Sequence, residues 1–379
     1  MKVLFVTTSY PRFSGDYPGK FIHTLACALA EKGNAISVVA PSYKGAKVCE
    51  LMDGVKVRRF RYAPSGLEGL AYGEGIIANL RRNPLLILEI PFFLASFAFA
   101  TVREIRGCDV VHAHWLPSGF VAAIASALGR KPLVLTVHGS DLRTTPKAIS
   151  RLSLTQADII ISPHPEMTEL VKKLGFNAVE VPNPVDLKVL CSGERDRVRS
   201  EFRLGDKFMV LFMARLDEFK DPLTFIRAAS AVKNDMRFLV VGDGPLRREA
   251  EKTVADLGLV GKVSFTGFRS DVPDLLAACD VFSALSPKEN IWSVSLVEAM
   301  TAGKPCVVTR SGRTEAYLTH EDDAYLVKPQ NPAETAEAFD KLYSDEGLRA
   351  LLSRNAKSSS LRFSADTVCE KMIKIYRSL

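Results

Sequence analysis

The chain has no C-x-x-C pair, no G-x-G-x-x-G, no strand-ending D-x-D and no low-complexity tract. Each absence removes a class of function. The seven cysteines stand singly at 27, 49, 108, 191, 279, 306 and 369, so neither a paired-cysteine zinc site nor a disulfide framework is indicated, and a reducing cytoplasm fits best. The dinucleotide fingerprint is missing with its glycines. Without D-x-D no acidic pair is set at a strand end to hold a catalytic metal. There is no RNA-binding aromatic signature and no zinc finger, so nucleic acid ranks last among anionic partners. The opening run Lys2–Thr8 reads as a strand, not as a signal peptide.

What is present is enough apolar mass for two cores: 379 residues, of which 47% are hydrophobic. A net charge of +7 favours phosphates or acidic lipids as partners. Part of that excess is local, in Arg58, Arg59 and Arg61 and in Arg81 and Arg82, although a solvated basic face is the simpler reading of each group. The apolar stretch Leu85–Val102 approaches the length of a membrane span, but Glu89 and Pro91 interrupt it and strands of one domain stand on both sides. A spanning helix is therefore rejected. A crossover helix, buried or partly exposed, and a helix lying on a membrane surface beside the arginines both remain.

Short β-branched runs alternate with helical stretches. Lys2–Thr8, Ala35–Ala40, Val55–Phe60, Val110–His114, Leu133–Val137 and Asp158–Ser162 read as one series of strands. Phe208–Met213, Arg237–Val241, Val263–Thr266, Val281–Leu285, Cys306–Thr309 and Ala324–Val327 read as a second. Continuous apolar runs between amphipathic segments predict two doubly wound α/β domains with parallel sheets. The turn-rich, then charged, segment around 186–205 is the expected hinge. The predicted division is residues 1–190, residues 191–363 and a final amphipathic helix over 364–379, with Ala365, Val368, Met372, Ile373 and Tyr376 on one face.

Candidate chemistry gathers at the ends of these strands, where open α/β sheets bind ligands. The first βα turn is long, and its Gly19 leaves a helix start open to phosphate. His112 and His114 end one strand, and His138-Gly-Ser-Asp141 ends the next. The H-x-H pair shares a strand face but lacks an evident third ligand, so structural or acceptor-facing histidines fit better than a metal. In the second half, Arg215 and Lys220 lie on the loop after a strand, ahead of Asp221-Pro222 as helix cap and first-turn proline. Two cations so placed suit a diphosphate. Between Ser286 and Gly312 the chain offers Glu289 in a turn, then Ser293, Val294 and Ser295 at a helix start, then Glu298 within the helix. Such a start can hold an anion, with acids on both sides to grip hydroxyls.

These segments resemble the retaining glycosyltransferases of family 4, which have two Rossmann-like domains in the GT-B arrangement. Val137-His138-Gly139 is similar to the family's T-H-G, Arg215 and Lys220 to its R-x4-K-G, Val241-Gly-Asp-Gly-Pro245 to its G-x-G-P loop, and Glu289–Glu298 to its E-x7-E region. Asp221 stands where the family has glycine, and only Gly19 remains of its first Gly-Gly pair. Glu289 lies one position further from Glu298 than the pattern requires, so either Glu289 or Asn290 fills the first acid position. The family's later glycines appear as Gly312-Arg313 and Ala324.

The resemblance implies a metal-independent hexosyl transfer from a nucleotide-diphosphate sugar to a glycan or lipid-linked hydroxyl. No cofactor is implied beyond that co-substrate. His138, Arg215, Lys220 and Glu289 would be catalytic. Gly19, Gly242, Gly244, Arg269, Asn290, Ser293, Val294, Ser295 and Glu298 would join Arg215 and Lys220 in holding the donor, with Gly242 and Gly244 leaving room near the nucleotide, the backbone around Arg269 reading the base and Glu298 accepting from the ribose. His112, His114 and Asp141 would face the acceptor. A nucleotide-sugar isomerase of the 2-epimerase type and a non-catalytic nucleotide-sugar-binding partner remain as alternatives. The expected location is cytoplasmic, with an anionic membrane surface as a further partner if the acceptor is lipid-linked.

Overall fold

A computed structural model describes every residue except 17, 74, 288–292 and 311–313, together with the side chains of all but 140, 143, 188, 189 and 316 among the rest. The chain divides into two compact units, Met1–Pro184 with Ala365–Leu379, and Val185–Ser364. The division at Pro184 precedes the expected boundary at 190, and the returning tail begins at Ala365.

The first unit is built on β1 (Lys2–Thr7), β2 (Ala35–Pro41), β3 (Cys49–Met52), β4 (Val55–Phe60), β5 (Val110–His114), β6 (Leu133–Thr136), β7 (Ile159–Ser162) and β8 (Val179–Glu180). Their order is β3-β4-β2-β1-β5-β6-β7-β8, parallel except for the β3–β4 hairpin. Alternate residues of β1 feed opposite layers: Leu4 and Val6 join one apolar cluster, Val3 and Phe5 the other. Both faces are therefore covered, which is why β1, β2, β6 and β7 are mainly apolar. The final helix Ala365–Arg377 belongs to this unit, burying Val368, Cys369, Met372 and Tyr376 in the layer that also holds helix Lys20–Glu31.

The second unit contains β9 (Phe208–Met213), β10 (Met236–Val241), β11 (Val263–Gly267), β12 (Val281–Ala284), β13 (Cys306–Thr309) and β14 (Tyr325–Val327). They form one parallel sheet in the order β11-β10-β9-β12-β13-β14. Again the layers alternate, with Met209, Leu211 and Met213 on one side of β9 and Val210 and Phe212 on the other.

The apolar stretch of the first unit is a short 3-10 turn, Pro84–Glu89, running into helix Ile90–Ile105. Phe93, Phe97, Ala100 and Ile105 pack into the core, whereas Leu85, Ile87, Leu88, Phe92 and Phe99 are 62–73% exposed. By length and composition alone the segment is apolar enough to cross a membrane. Its inner face is nonetheless part of the fold, with Phe60 stacked on Phe97 at 4.5 Å between ring centroids. The neighbouring arginines divide in a way the sequence does not announce. Arg59 is buried, bonded to Glu50 and to the Lys47 and Pro11 carbonyls, and Arg58 pairs with Glu104 at 2.7 Å. These two are structural cations and no part of a solvated face. Arg61, Arg81 and Arg82 are exposed.

Candidate active site

In both sheets the strand order reverses beside the strand that starts the unit, β1/β5 in the first and β9/β12 in the second. At such a switch point the two connections leave towards opposite faces of the sheet and open a crevice at the carboxyl ends of the strands. His114 ends a strand beside the first switch point and the Arg215–Lys220 loop leaves a strand beside the second, whereas Arg269 follows the edge strand β11.

In the first unit, Thr7 pairs in register with His114, and His114 with Thr136. Past Thr7 the chain enters the long βα loop that ends at Gly19. Gly19 is left-handed (φ 68°) and precedes helix Lys20–Glu31. A β-carbon there would lie 2.5 Å from the Ser9 carbonyl oxygen, so glycine is required by the loop's own backbone. His112 and His114 share a strand face, their rings 4.3 Å apart. His112 is fully buried, its Nδ1 2.6 Å from the Tyr376 hydroxyl and its Nε2 2.7 Å from that of Thr136. His114 Nδ1 lies 3.3 Å from His138 Nε2, while its own buried Nε2 and Nδ1 of His138 have no hydrogen-bond partner among the described residues. Burial pushes His112 down to about 3 and holds His114 well below the usual imidazole range, in both cases helped by neighbouring histidines. His138 is also lowered to about 3, by burial and then by His164. All three rings are neutral at physiological pH, so they offer hydrogen bonds and not charge.

His138 sits between Phe21 and Trp115, with ring centroids 5.0 and 4.7 Å away. Trp115 has φ 67° and ψ 150°, a strained backbone for a large residue, at the start of helix Leu116–Gly129. Asp141 fixes this corner. Its Oδ2 accepts the Leu116 N–H at 3.0 Å and its Oδ1 the N–H groups of His138 and Leu142 at 3.1 Å. Both oxygens of the carboxylate are thus turned onto backbone, which makes Asp141 a positioning residue for His138. Phe21, His112, His114, Thr136, His138 and Asn183 help line a small pocket within this unit.

In the second unit β9 runs into the Ala214–Asp221 loop. Asp217 shapes it, its Oδ1 accepting N–H groups from Phe219 and Lys220 and its Oδ2 lying 3.5 Å from Arg215 Nε. The Arg215 side chain is 58% exposed, and Lys220 is half-buried. Asp221 adopts φ 51° and ψ 59°, the left-handed region natural to the glycine it replaces. Its carboxylate recovers part of that cost by capping helix Pro222–Ala231 through the Thr224 N–H at 3.1 Å.

Gly242 and Gly244 lie under this loop. A β-carbon on Gly242 would stand 1.9 Å from the Ala214 carbonyl oxygen, and one on Gly244 2.4 Å from that of Leu216. The room they leave is filled by the backbone on either side of Arg215, so their direct service is to the cation loop. Arg269 is likewise committed. Its guanidinium pairs with Glu201 and Asp271, which raise its already high pKa further and leave only its backbone for a base.

Helix Val294–Thr301 is capped by Ser293, whose Oγ accepts the Leu296 N–H at 3.1 Å. The Leu296 and Val297 N–H groups bond to the Ser293 carbonyl, so those of Val294 and Ser295 precede the first intrahelical bonds and point out of the helix start. Glu298 is buried in the same helix. Glu289 and Asn290 lie outside the described residues. Sequence reasoning did not single out Trp115 and Asn183, which sit beside His138 and in its pocket. A tryptophan directly after the H-x-H strand was the available signal for the first, and the Pro-Asn-Pro turn for the second.

Residues 194–359 match the model of glycosyl transferases group 1, and residues 19–189 that of Glycosyltransferase Family 4. The chain is 27% identical to a D-inositol 3-phosphate glycosyltransferase of Salinispora tropica, over 96% of this chain and 81% of that protein. It is 28% identical to the UDP-Gal:alpha-D-GlcNAc-diphosphoundecaprenol alpha-1,3-galactosyltransferase of Escherichia coli, over 74% of this chain and 77% of that one. Its fold is similar to the crystal structure of Anabaena HepE in complex with UDP, with a TM-score of 0.76 and 21% identity over 100% of both chains. The two family models take up the two sheets in chain order, and the cation loop, glycine pair and helix start fall within them: the chain belongs to the family 4, group 1 glycosyltransferases and has their GT-B fold.

Proposed function

We propose that the protein transfers a hexosyl unit, with retention and without a metal, from a nucleoside-diphosphate sugar to a hydroxyl of a lipid-linked glycan. The observation that carries the reading is the departure of the Arg215–Lys220 loop from β9 while the adjacent strand β12 leads towards the helix start at Ser293. Two cations and outward N–H groups at one switch point suit a diphosphate leaving group. The acceptor oxygen bonds to the anomeric carbon as the bond from that carbon to the diphosphate oxygen breaks on the same face. The hydroxyl proton passes to the departing phosphate oxygen. Arg215, Lys220 and the helix start neutralise the charge that develops there, and Glu298 accepts hydrogen bonds from the ribose. His138, neutral and aligned by Asp141, contacts the transferred sugar, whose hydroxyls Glu289 or Asn290 fixes. No cofactor is needed beyond the sugar nucleotide.

A lipid-linked acceptor is supported by the name of the Escherichia coli relative and by the exposed apolar face of Pro84–Ile105 beside Arg81 and Arg82. In this reading the enzyme is cytoplasmic and peripheral on the inner face of the cell membrane. The test is incubation with radiolabelled nucleotide-sugars, with and without lipid and glycan extracts, in excess chelator. Transfer to the lipid fraction, with the anomeric configuration of the donor kept, is the expected result. Isomerisation of the donor, or its mere retention on a filter, would replace the proposal with an epimerase or a binding protein. Loss of transfer in chelator that magnesium or manganese restores, and zinc does not, would end the metal-free mechanism.

A further inference from the structure

A cluster of metal-ligating side chains lies in the first unit, apart from the histidines of the candidate active site. His23 and Cys27 are one turn apart on helix Lys20–Glu31, so both point from the same face. Asp53 comes from a different element, the tight turn between β3 and β4, where Asp53 (φ 48°) and Gly54 (φ 82°) form the two-residue connection typical of hairpins. One ligand atom from each of the three falls within 4.8 Å of the other two. His23 Nε2 is 3.5 Å from Cys27 Sγ and 2.9 Å from Asp53 Oδ2.

These separations can be compared with what an ion would impose. Zinc bonds of about 2.3 Å to sulfur and about 2.0 Å to nitrogen, at a tetrahedral angle, place the two ligand atoms about 3.5 Å apart. The nitrogen–sulfur separation is therefore already of the right length, but Sγ is also 3.8 Å from Nδ1 and has to swing from beside the ring to a place ahead of Nε2. The nitrogen–oxygen edge has only to open by a few tenths of an ångström, and the Asp53 side chain is 57% exposed and able to give. The opposite nitrogen of the same ring is also in place. His23 Nδ1 is 2.7 Å from the hydroxyl of the buried Tyr10, an outer partner that fixes the ring with Nε2 towards the cluster. Imidazole, thiolate and carboxylate together form a borderline-soft donor set that favours zinc over magnesium or calcium.

We infer that His23, Cys27 and Asp53 bind one zinc ion, with water in the fourth position, and that the ion ties the first βα loop to the β3–β4 hairpin. Tyr10 transmits the tie, because Gly19 packs directly on the Ser9–Tyr10 backbone. The role is structural and separate from the transfer chemistry.

The test is zinc titration of the metal-stripped full-length protein against a chromophoric chelator, with cobalt as a spectroscopic substitute. One equivalent of zinc is expected, together with a raised thermal midpoint and a cobalt–thiolate charge-transfer band. Cys27→Ser should abolish the band, and Asp53→Asn should weaken zinc binding at least about tenfold. Tyr10→Phe, which keeps the ring in the core, should weaken it roughly 10–100-fold by freeing the imidazole. A Cys49→Ser, Cys191→Ser double variant removes the exposed thiols and should bind as the parent does. Zinc affinity unchanged in Cys27→Ser, or lost with Cys49 and Cys191, would overturn the site, as would absence of stoichiometric binding; the cluster would then be a hydrogen-bonded network only.

Discussion

The carbonyl oxygen of Ala214 occupies the space that a β-carbon on Gly242 would need. Gly242 has φ 128°, and its N–H bonds to the Gly267 carbonyl at 2.8 Å, so it has no freedom to move aside. Gly242→Ala must push out the strand end that carries Arg215. The expected loss is about 1–3 kcal/mol of stability from overpacking, together with weaker binding of nucleoside diphosphate. Urea unfolding and calorimetry measure the two. Gly45→Ala is the control, because a β-carbon there meets nothing within 4 Å and only backbone strain of about 1 kcal/mol remains. Equal effects of the two changes would remove the special role of Gly242.

Arg215→Ala and Lys220→Ala should each lower turnover by about 10²–10³-fold, the usual cost of one group that stabilises developing charge. Neither change should alter the thermal midpoint by more than a degree or two, since neither side chain is buried in the core. Steady-state kinetics beside circular dichroism makes the check. Near-parental turnover in both variants would refute the diphosphate assignment.

Acid should weaken the first unit through its buried histidines. His164 is held down to about 4 by burial, against about 6.5 in the unfolded chain. As pH falls below about 6.5, the unfolded chain takes up the proton first, so stability declines with falling pH until the folded value near 4 is reached. At pH 5 this residue alone costs about 2 kcal/mol. His164 also caps helix Pro165–Lys173 by accepting the Met167 N–H, a bond that asparagine can replace. His164→Asn should therefore flatten the dependence of unfolding free energy on pH between 7 and 5. A slope identical to the parent's would show that His164 does not titrate in this way.

The apolar face of Pro84–Ile105 should bring the protein to anionic vesicles at low salt. With Arg58 and Arg59 paired inside the fold, Arg61, Arg81 and Arg82 remain, each contributing about 1 kcal/mol near such a surface. Charge reversal at Arg81 and Arg82 should release the protein in a flotation assay, and Phe92→Ser with Phe99→Ser should weaken binding even at low salt. An absence of flotation by the parent protein would point to a soluble acceptor.

Both sheets were readable from the sequence because their strands are buried on two faces and carry unbroken apolar runs. The predicted strand ends fall within a residue of those observed. Two strands were not seen. Cys49–Met52 is an edge strand with one buried residue, and Val179–Glu180 is two residues long with none. Local devices were legible, as in the helix caps at Asp221 and Ser293. Roles that depend on what packs from afar were not. Arg59 reads as surface charge in the sequence but is buried against the Pro11 carbonyl, and nothing in the sequence announces that Asp141 holds the backbone N–H groups of Leu116 and His138. The pairing of Asp53 with His23 joins a hairpin turn to a helix, which no spacing rule encodes.

The Tyr376 hydroxyl on His112 has a bearing on how this chain is made. Residues that follow the second unit in the chain are components of the first unit's core, where Val368, Met372 and Tyr376 lie beside residues of β1 and β2. The segment 185–364 is contiguous and can fold as soon as it emerges, but the first unit stays incomplete until residues 365–377 have been made. A nonsense or frameshift lesion between 365 and 377 would therefore injure the oldest part of the nascent chain and spare the part adjacent to the break.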